Sequence, residues 1–443
     1  MALSPQVISN GVGALASGKR VWIAYSGGVD SHVLLHLLAH SDHPQLKNLA
    51  AIHVDHGLNN DSAVWAQHCA DTAADLNVDF VSLTADVRNI ESLGVEAAAR
   101  EARYQALQKA LTEDDILLTA QHQQDQAETL LLQLFRGAGP KGLSAMASHF
   151  NLGETETFRP LLHVSQSDIL LYAQSHKLQW IDDPSNVETR WNRNYIRHKL
   201  WPDIIERWPS AAKTISRSAE HCAETSELLD ALAEQDFAGL ELDTSTSSLP
   251  IDALLALSPA RCRNLLRHFF LWKKLPLPST VNLQGIIDEV CLAKQDSNPM
   301  VSWSGVEIRR YQNQLYFMSP LIHHDNENII KLNSFQDVNL MDGRVVEWVR
   351  TEGRGLKLPV SAEITIRFRQ GGEQIKPQGS AHHKNLKHLF QQWCIPPWQR
   401  DRIPLIFCDD KLVAVVGYCI DEVYSASNGV QGHWPQLKLI DFD

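Results

Sequence analysis

Between residue 20 and about residue 185, short apolar runs alternate with longer stretches whose apolar residues recur every three or four positions. The runs Val21–Tyr25, Leu49–Val54, Val78–Leu83 and Ile116–Thr119 have the length of buried strands. The stretches Ser31–Ala39, Ser62–Leu76, Val95–Leu111 and Gln126–Phe135 have the helical period. Strict strand–helix alternation predicts an α/β fold on a doubly wound parallel sheet, because parallel neighbours need a crossover and helices then cover both faces. In such a sheet the ligand lies at the carboxyl ends of the strands, so the chemistry is expected on the loops after them.

Downstream the pattern changes. Residues 196–240 read as a helical arm, and Thr244–Ser248 (Thr-Ser-Thr-Ser-Ser) punctuates it. Pro250 to about Leu321 reads as a small helical unit (Asp252–Leu257, Ala260–Lys273, Leu283–Leu292) closed by strand-like segments near Val306–Arg310 and Gln314–Phe317. Asp325-Asn326-Glu327-Asn328 reads as a linker. The remainder mixes strands (Glu363–Phe368, Leu405–Cys408, Leu412–Val416) with one helix (Lys384–Trp393), a small α+β unit. These changes predict three domains: 1–217, a helical connector and middle domain over 218–330, and 331–443.

A length of 443 residues suits such a division, at about 100–200 residues per domain. Met1–Lys19 lacks the pattern of a signal peptide and no run reaches the roughly 18 apolar residues of a membrane span, so the expectation is a cytoplasmic chain with no membrane partner. The seven cysteines are scattered and never spaced C-x-x-C, which predicts reduced thiols and neither a disulfide framework nor a zinc or iron–sulfur site. A net charge of −12 argues against a nucleic-acid partner in general, yet the cations are not evenly spread. Glu188–Arg217 holds seven Lys or Arg against three acids, interleaved with Trp191, Tyr195, Trp201 and Trp208. Arg367–Arg402 holds seven against two, with His382, His383 and His388 among them. Two basic islands in an acidic chain suit a large anion such as tRNA, and suit two solvated helix faces equally well.

Ser26-Gly27-Gly28-Val29-Asp30-Ser31 stands directly between the first strand and the first helix. A Gly turn feeding a helix start leaves backbone N–H groups unpaired and aimed outward, which suits a phosphate. It is neither a Walker loop nor a dinucleotide fingerprint. After the second strand comes His53-Val54-Asp55-His56-Gly57-Leu58, and the third helix carries Glu96, Arg100, Arg103 and Tyr104 on one face. After the fourth strand, Gln121-His122-Gln123-Gln124-Asp125-Gln126-Ala127-Glu128-Thr129 leads to the loop Arg136-Gly137-Ala138-Gly139-Pro140-Lys141-Gly142-Leu143. A His, two acids and a basic Gly-rich loop are therefore expected to gather at one strand end.

Together these pieces resemble the tRNA(Ile)-lysidine synthetases of the PP-loop ATP pyrophosphatase superfamily, in their longer three-domain bacterial form. The matching residues run from Ser26–Ser31 through His53–Leu58, Glu96–Tyr104, Asp125–Thr129 and Arg136–Leu143 to Asp183–Asn186 and Arg193–Arg197. Gly371–Glu373 and Pro396–Arg402 extend the likeness to the tail. One departure stands out: where the family usually reads His-His-x-Asp-Asp, this chain has Gln at 121 and 124. Gln keeps hydrogen bonding but neither accepts a proton nor carries charge.

The resemblance implies an adenine nucleotide alpha hydrolase-like catalytic domain, ATP as substrate and Mg2+ as cofactor. It implies adenylation of the position-2 oxygen of the wobble cytidine in a CAU-anticodon isoleucine tRNA, then displacement of AMP by L-lysine. Ser26, Gly27, Gly28, Val29, Asp30, Ser31 and His56 are then expected to bind ATP, with Asp30 on the metal. Asp30, Arg100, Arg103, His122 and Asp125 are expected to carry catalysis. Arg136, Gly137, Gly139, Gly142, Arg190, Arg193, Asn194, Arg197, Lys384, Lys387, Arg400 and Arg402 are expected to hold cytidine or tRNA. A homodimer is compatible with the sequence. The alternatives are another PP-loop tRNA-modifying enzyme, a small-molecule amide ligase and a tRNA-binding relative without catalysis.

Overall fold

The computed structural model describes residues 3–16, 18–57, 61–88, 95–240, 247–294, 297–359 and 362–439. It divides into two compact units, Met1–Ala231 and Leu232–Asp443.

The first unit is built on a six-stranded sheet. Its strands are β1 (Arg20–Ala24), β2 (Leu49–Asp55), β3 (Asp79–Thr84), β4 (Asp115–Leu118), β5 (His149–Leu152) and β6 (Thr155–Phe158), in the order β3-β2-β1-β4-β6-β5. All neighbours are parallel except the β5–β6 hairpin. Strand β1 is central, with Val21 opposite Leu49 on one side and Ile116 on the other. Its residues alternate as a two-faced strand requires. Val21 and Ile23 enter one core with Val33, Leu34 and Leu37 of α2 (Val29–Ala39), after α1 (Pro5–Leu15), while Trp22 enters another with Leu107 of the helix Val95–Ala110. The four expected strands are present. The β5–β6 hairpin was not legible, because Thr-Glu-Thr-Phe and His-Phe-Asn-Leu are short and half polar; Gly153, at φ +63, turns between them.

The remaining helices are α3 (Ser62–Asp75), α4 (Val95–Ala110), α5 (Gln123–Phe135), α6 (Pro140–Leu143) and α7 (Gln166–Ser175). Then α8 (Asn192–Tyr195) runs through a π-helical turn, Ile196–Leu200, into α9 (Trp201–Arg207), and α10 (Ala211–Ala238) contains the boundary between the units. The expected single arm from residue 196 is thus broken at Trp208-Pro209-Ser210, where Pro209 cannot donate to the preceding turn. The strand order reverses between β1 and β4, so the loops after these two strands define the ligand crevice.

In the second unit the expected helices appear as Ile251–Ala256, Pro259–Trp272 and Thr280–Gly285, the last running on as π-helix Ile286–Cys291. They pack on a four-stranded antiparallel sheet that is larger than the two segments read from sequence. Phe269, Phe270, Ile308, Leu315 and Phe317 form its core. Separate cores hold the tail, around Ile366, Ile406 and Val413 and around Leu386, Phe390 and Leu405, with a five-stranded and a three-stranded sheet. Arg344–Glu352, paired with Gln431–Leu439, escaped the sequence reading because its charged residues mask the strand alternation. Asp325–Asn328 forms a turn before the strand Ile330–Leu332. Ser248 opens the strand Ser248–Pro250, whereas 244–246 of the expected loop lie outside the described residues. No helix among the described residues is long and apolar enough to cross a membrane.

Candidate active site

The loop after β1 is set by local hydrogen bonds. Ser31 Oγ donates to the Gly28 carbonyl at 3.0 Å, accepts from the Ser26 backbone N–H at 3.3 Å and meets Ser26 Oγ at 3.1 Å. Gly27 sits at φ +84, and a Cβ there would come within 2.6 Å of Ile181 Cδ1, so only glycine fits without movement. Helix α2 starts at Val29, with Gly28 as its N-cap and no side chain accepting from its first turn. Its opening amides thus face the crevice as an anion cradle.

Asp30, in that first turn, carries the charge of interest. Burial pushes its carboxyl above the usual range; His122 and Arg197 oppose the shift, and Asp125 reinforces it. Its Oδ1 is buried with no hydrogen bond, 3.6 Å from His122 Nε2. His122 is the N-cap of α5: its Nδ1 accepts from Gln124 N at 3.2 Å, while Asp125 Oδ2 accepts from His122 N at 3.1 Å. Since Nδ1 is an acceptor, the neutral ring carries its proton on Nε2, which lies 3.5 Å from Asp125 Oδ2 and faces Asp30. A donor facing a helix start beside an unpartnered carboxylate can act on bound phosphate.

Asp125 itself is committed elsewhere. Its Oδ1 accepts from Arg193 Nη2 at 2.8 Å and Arg197 Nη2 at 3.0 Å. Burial would raise its pKa, but His122, Arg193 and Arg197 outweigh it and hold the carboxyl below the usual range. Glu128, fully buried, accepts from Arg193 Nε at 3.0 Å, from Arg197 Nε and Nη2 at 2.8 Å each and from Gln124 Nε2 at 3.0 Å. Two carboxylates face two guanidiniums, so the quartet is neutral, and Gln124 adds a donor without adding a charge. A carboxylate at 124 would place a third anion against Glu128. This gives one of the two Gln departures a structural sense.

Gln121 has a comparable task. Its Oε1 accepts from Thr119 Oγ1 at 2.6 Å and from Arg159 Nε at 3.1 Å. Arg159 is buried, lies over the Phe150 ring and also donates to the Ala147 carbonyl; burial pulls its pKa down. On the neighbouring strand, His56 Nε2 accepts from Arg103 Nη2 at 2.8 Å, and burial together with Arg103 lowers the imidazole to about 4. His56 is therefore neutral near pH 7, with Nδ1 buried and unpartnered. Arg100 bonds Tyr104 Oη at 3.2 Å on the same helix.

The fold thus brings Ser26–Ser31, Asp30, His122 and Asp125 together at the crevice, with His56 and Arg103 at the end of β2. It does not bring the loop Arg136–Leu143 there. That loop, with Arg136, Gly137, Gly139 and Gly142, follows the thirteen-residue α5, which carries it about 20 Å from His122. The expectation that all these groups gather at one strand end is corrected accordingly: the helix between them was legible, and its length separates its ends. Gly137 is at φ +72, and a Cβ on Gly142 would meet Ala138 Cβ at 2.6 Å, so these two glycines shape the loop.

The basic islands also divide. Arg193 and Arg197, expected on an RNA surface, are turned inward onto Asp125 and Glu128; Asn194 donates to the Glu188 carbonyl, and Arg190 pairs with Glu188 over Trp191. In the tail, Arg400 bonds the Ile395 carbonyl and Tyr311 Oη, and Arg402 donates to the Ile322 carbonyl, so both serve internal packing. Lys384 and Lys387 are exposed and make no ion pair among the described residues. Arg159 carried no signal in the sequence. Glu128 stood inside the quoted motif, but its arginine partners lie more than sixty residues away. Leu58 and the side chains of Glu96, Ser185 and Asn186 lie outside the described residues.

Family models match the chain in three places: a PP-loop domain over residues 5–204, a TilS substrate binding domain over 249–316 and a TilS substrate C-terminal domain over 364–436. The tRNA(Ile)-lysidine synthase of Coxiella burnetii is 43% identical over 435 residues, 97% of this chain and 96% of the relative. The chain belongs to the tRNA(Ile)-lysidine synthase family. Proteins of that name from Legionella pneumophila (strain Paris), 38% identical over 97% of each chain, and Pectobacterium atrosepticum, 39% identical over 95% of this chain and 94% of the relative, extend the match.

Proposed function

We propose that the chain is a cytoplasmic carbon–nitrogen ligase that joins L-lysine to position 2 of the wobble cytidine in CAU-anticodon tRNA(Ile), consuming ATP. The observation that carries the reading is the juxtaposition of the uncapped α2 start, Asp30 and His122 at the sheet's reversal point, in a chain that matches named lysidine synthases almost end to end.

The chemistry has two displacements. The cytidine O2 attacks the α-phosphorus of ATP and pyrophosphate leaves; the lysine ε-amine then attacks C2, and AMP leaves with that oxygen. A carbonyl oxygen alone is a poor leaving group, and as part of AMP it departs readily. The α2 amides hold phosphate oxygens, and His122 Nε2–H donates toward the charge that builds as pyrophosphate separates. Asp125 keeps His122 oriented from the capping box, and Arg193 and Arg197 keep Asp125 ionised. In this reading Asp125 acts as a positioning residue. Arg103, tied to His56, stands as the next cation along the strand ends, and Arg100 lies one helical turn before it. Lysine must lose a proton before attack, and a carboxylate or an oxygen of the released pyrophosphate has to take it.

The donor set near Asp30 suits Mg2+. Mg2+ keeps most of its waters and takes one or two carboxylates plus phosphate oxygens. Asp30 offers one unpartnered buried oxygen, and no group of three or more metal-ligating side chains exists among the described residues. The ion would supply charge neutralisation at the phosphates.

The route of the oxygen tests the reading. With tRNA carrying oxygen-18 at the wobble C2 carbonyl, the label should leave in AMP. Label found in water or retained in tRNA would contradict adenylation of that oxygen.

A further inference from the structure

The cations that the fold leaves outward in the 188–217 island are a different set from the inward pair. Lys199, Arg207, Lys213 and Arg217 are exposed and make no ion pair among the described residues. In their midst Pro209 breaks the chain between α9 and α10, and Trp208 at that break is 63% exposed. An indole is seldom left so open, because it offers more apolar surface than any other side chain. Beside it lies an open recess of about 460 Å³, within the roughly 300–1,000 Å³ range of small-ligand clefts, lined by Ile204, Arg207, Trp208, Ala211, Thr214 and Ile215.

The recess packs on α5, the helix that His122 caps. Ile204, Ala211 and Ile215 pack with Ala127 and Leu131 of α5, and Ser216 Oγ donates to the carbonyl of Gln123, the residue after His122. An apolar floor beside an exposed indole, with the Arg207 guanidinium in the lining, matches a planar base on a phosphate chain. A protein helix would need a broad apolar stripe opposite it, and here the lining includes Arg207 with the exposed Lys213 close by in sequence. We infer that Trp208 is a stacking platform for an unpaired anticodon-loop base next to the reacting cytidine, with Arg207 and Lys213 on the flanking phosphates. This rests on the tRNA reading above. Splaying one loop base onto Trp208 would hold its neighbour out of the stack and toward Asp30.

The test uses the full chain and a CAU anticodon stem–loop. Trp208→Ala should weaken stem–loop binding by about 5- to 150-fold, the equivalent of 1–3 kcal/mol of base stacking. The slope of log K against log salt should stay unchanged, and Trp208→Phe should recover most of the affinity. Arg207→Ala should instead lower that slope by somewhat under one unit. In turnover with tRNA, the Trp208→Ala loss should fall on KM rather than on kcat. Independently of any variant's folding, ultraviolet cross-linking of the wild-type protein to a stem–loop with iodouridine at its loop uridines should map to Trp208. Binding by Trp208→Ala within twofold of wild type, an equal loss in Trp208→Phe, or cross-links mapping elsewhere would overturn the inference. A wild-type protein that modifies tRNA beside an indifferent Trp208→Ala sinks this inference alone, whereas a wild-type protein that leaves tRNA unmodified sinks the reading it rests on.

Discussion

Asp125, which is buried, and Asp30, which is half-buried, both lie within reach of one imidazole, yet their surroundings push them apart. Asp125 is held by two guanidiniums and Asp30 by none, so the first carboxyl is kept below the usual range and burial pushes the second above it. Asp30→Asn should abolish AMP formation while tRNA retention on a filter stays close to wild type; parallel loss of both would reduce Asp30 to a folding role. Arg197→Ala leaves the fully buried Glu128 short of its main partner, which should cost about 3–5 kcal/mol in urea unfolding. A loss below about 1 kcal/mol would mean that the quartet does not hold α5. The motif residues Asp30, His122 and Asp125 were legible in the sequence because they are close to strand ends. The jobs of Arg193 and Arg197 were not, since an arginine in a basic stretch reads the same whether it faces RNA or a carboxylate from a helix far away in sequence.

At the level of elements, the strands and helices with clean periodicity were legible, and those whose charged or short segments blur the period were not: β5–β6, and Arg344–Glu352. Histidines also cluster where the end of α2 meets the end of α7. His36 stacks on His40, contacts His176 and bonds Tyr172 Oη at 3.0 Å across to α7. Burial, with His40, His176 and His32 adding repulsion, lowers His36 to about 4. A folded pKa below the unfolded value of about 6.5 means that the unfolded chain takes up the proton first as pH falls. Stability is therefore complete above pH 6.5 and falls between 6.5 and 4, and His56 adds in the same direction. The urea midpoint should drop from pH 7.5 to pH 5, and His36→Gln should flatten that drop; an unchanged slope would show that the cluster titrates freely.

In the second unit, Trp398 of Pro396–Arg402 is buried against Tyr316 and Tyr311 with Arg309 over its ring, and Asp401 pairs with Arg369. That motif reads in sequence as basic and turns out to join the middle sheet to the tail. Trp398→Ala should cost about 3–5 kcal/mol in thermal or urea unfolding. A shift under about 1 kcal/mol would contradict a joining role.

Over the whole molecule, the acidic total conceals a division of labour among cations. Some brace helix α5, some brace the tail, and an outward set that includes Lys199, Arg207, Lys213, Lys384 and Lys387 is exposed and makes no ion pair among the described residues. Three changes of pattern were legible along the chain; the structure groups the residues after Ala231 into one compact unit with several cores. The central claim is that one crevice both activates the wobble cytidine and passes it to lysine. Its most direct test is incubation of the purified chain with ATP, isotopically labelled L-lysine and CAU-anticodon tRNA(Ile), followed by nucleoside analysis of the digested tRNA. The account predicts lysine on the wobble cytidine in step with AMP release, and neither with Asp30→Asn. AMP release without lysine in the tRNA, or lysine transfer that survives in Asp30→Asn, would contradict it.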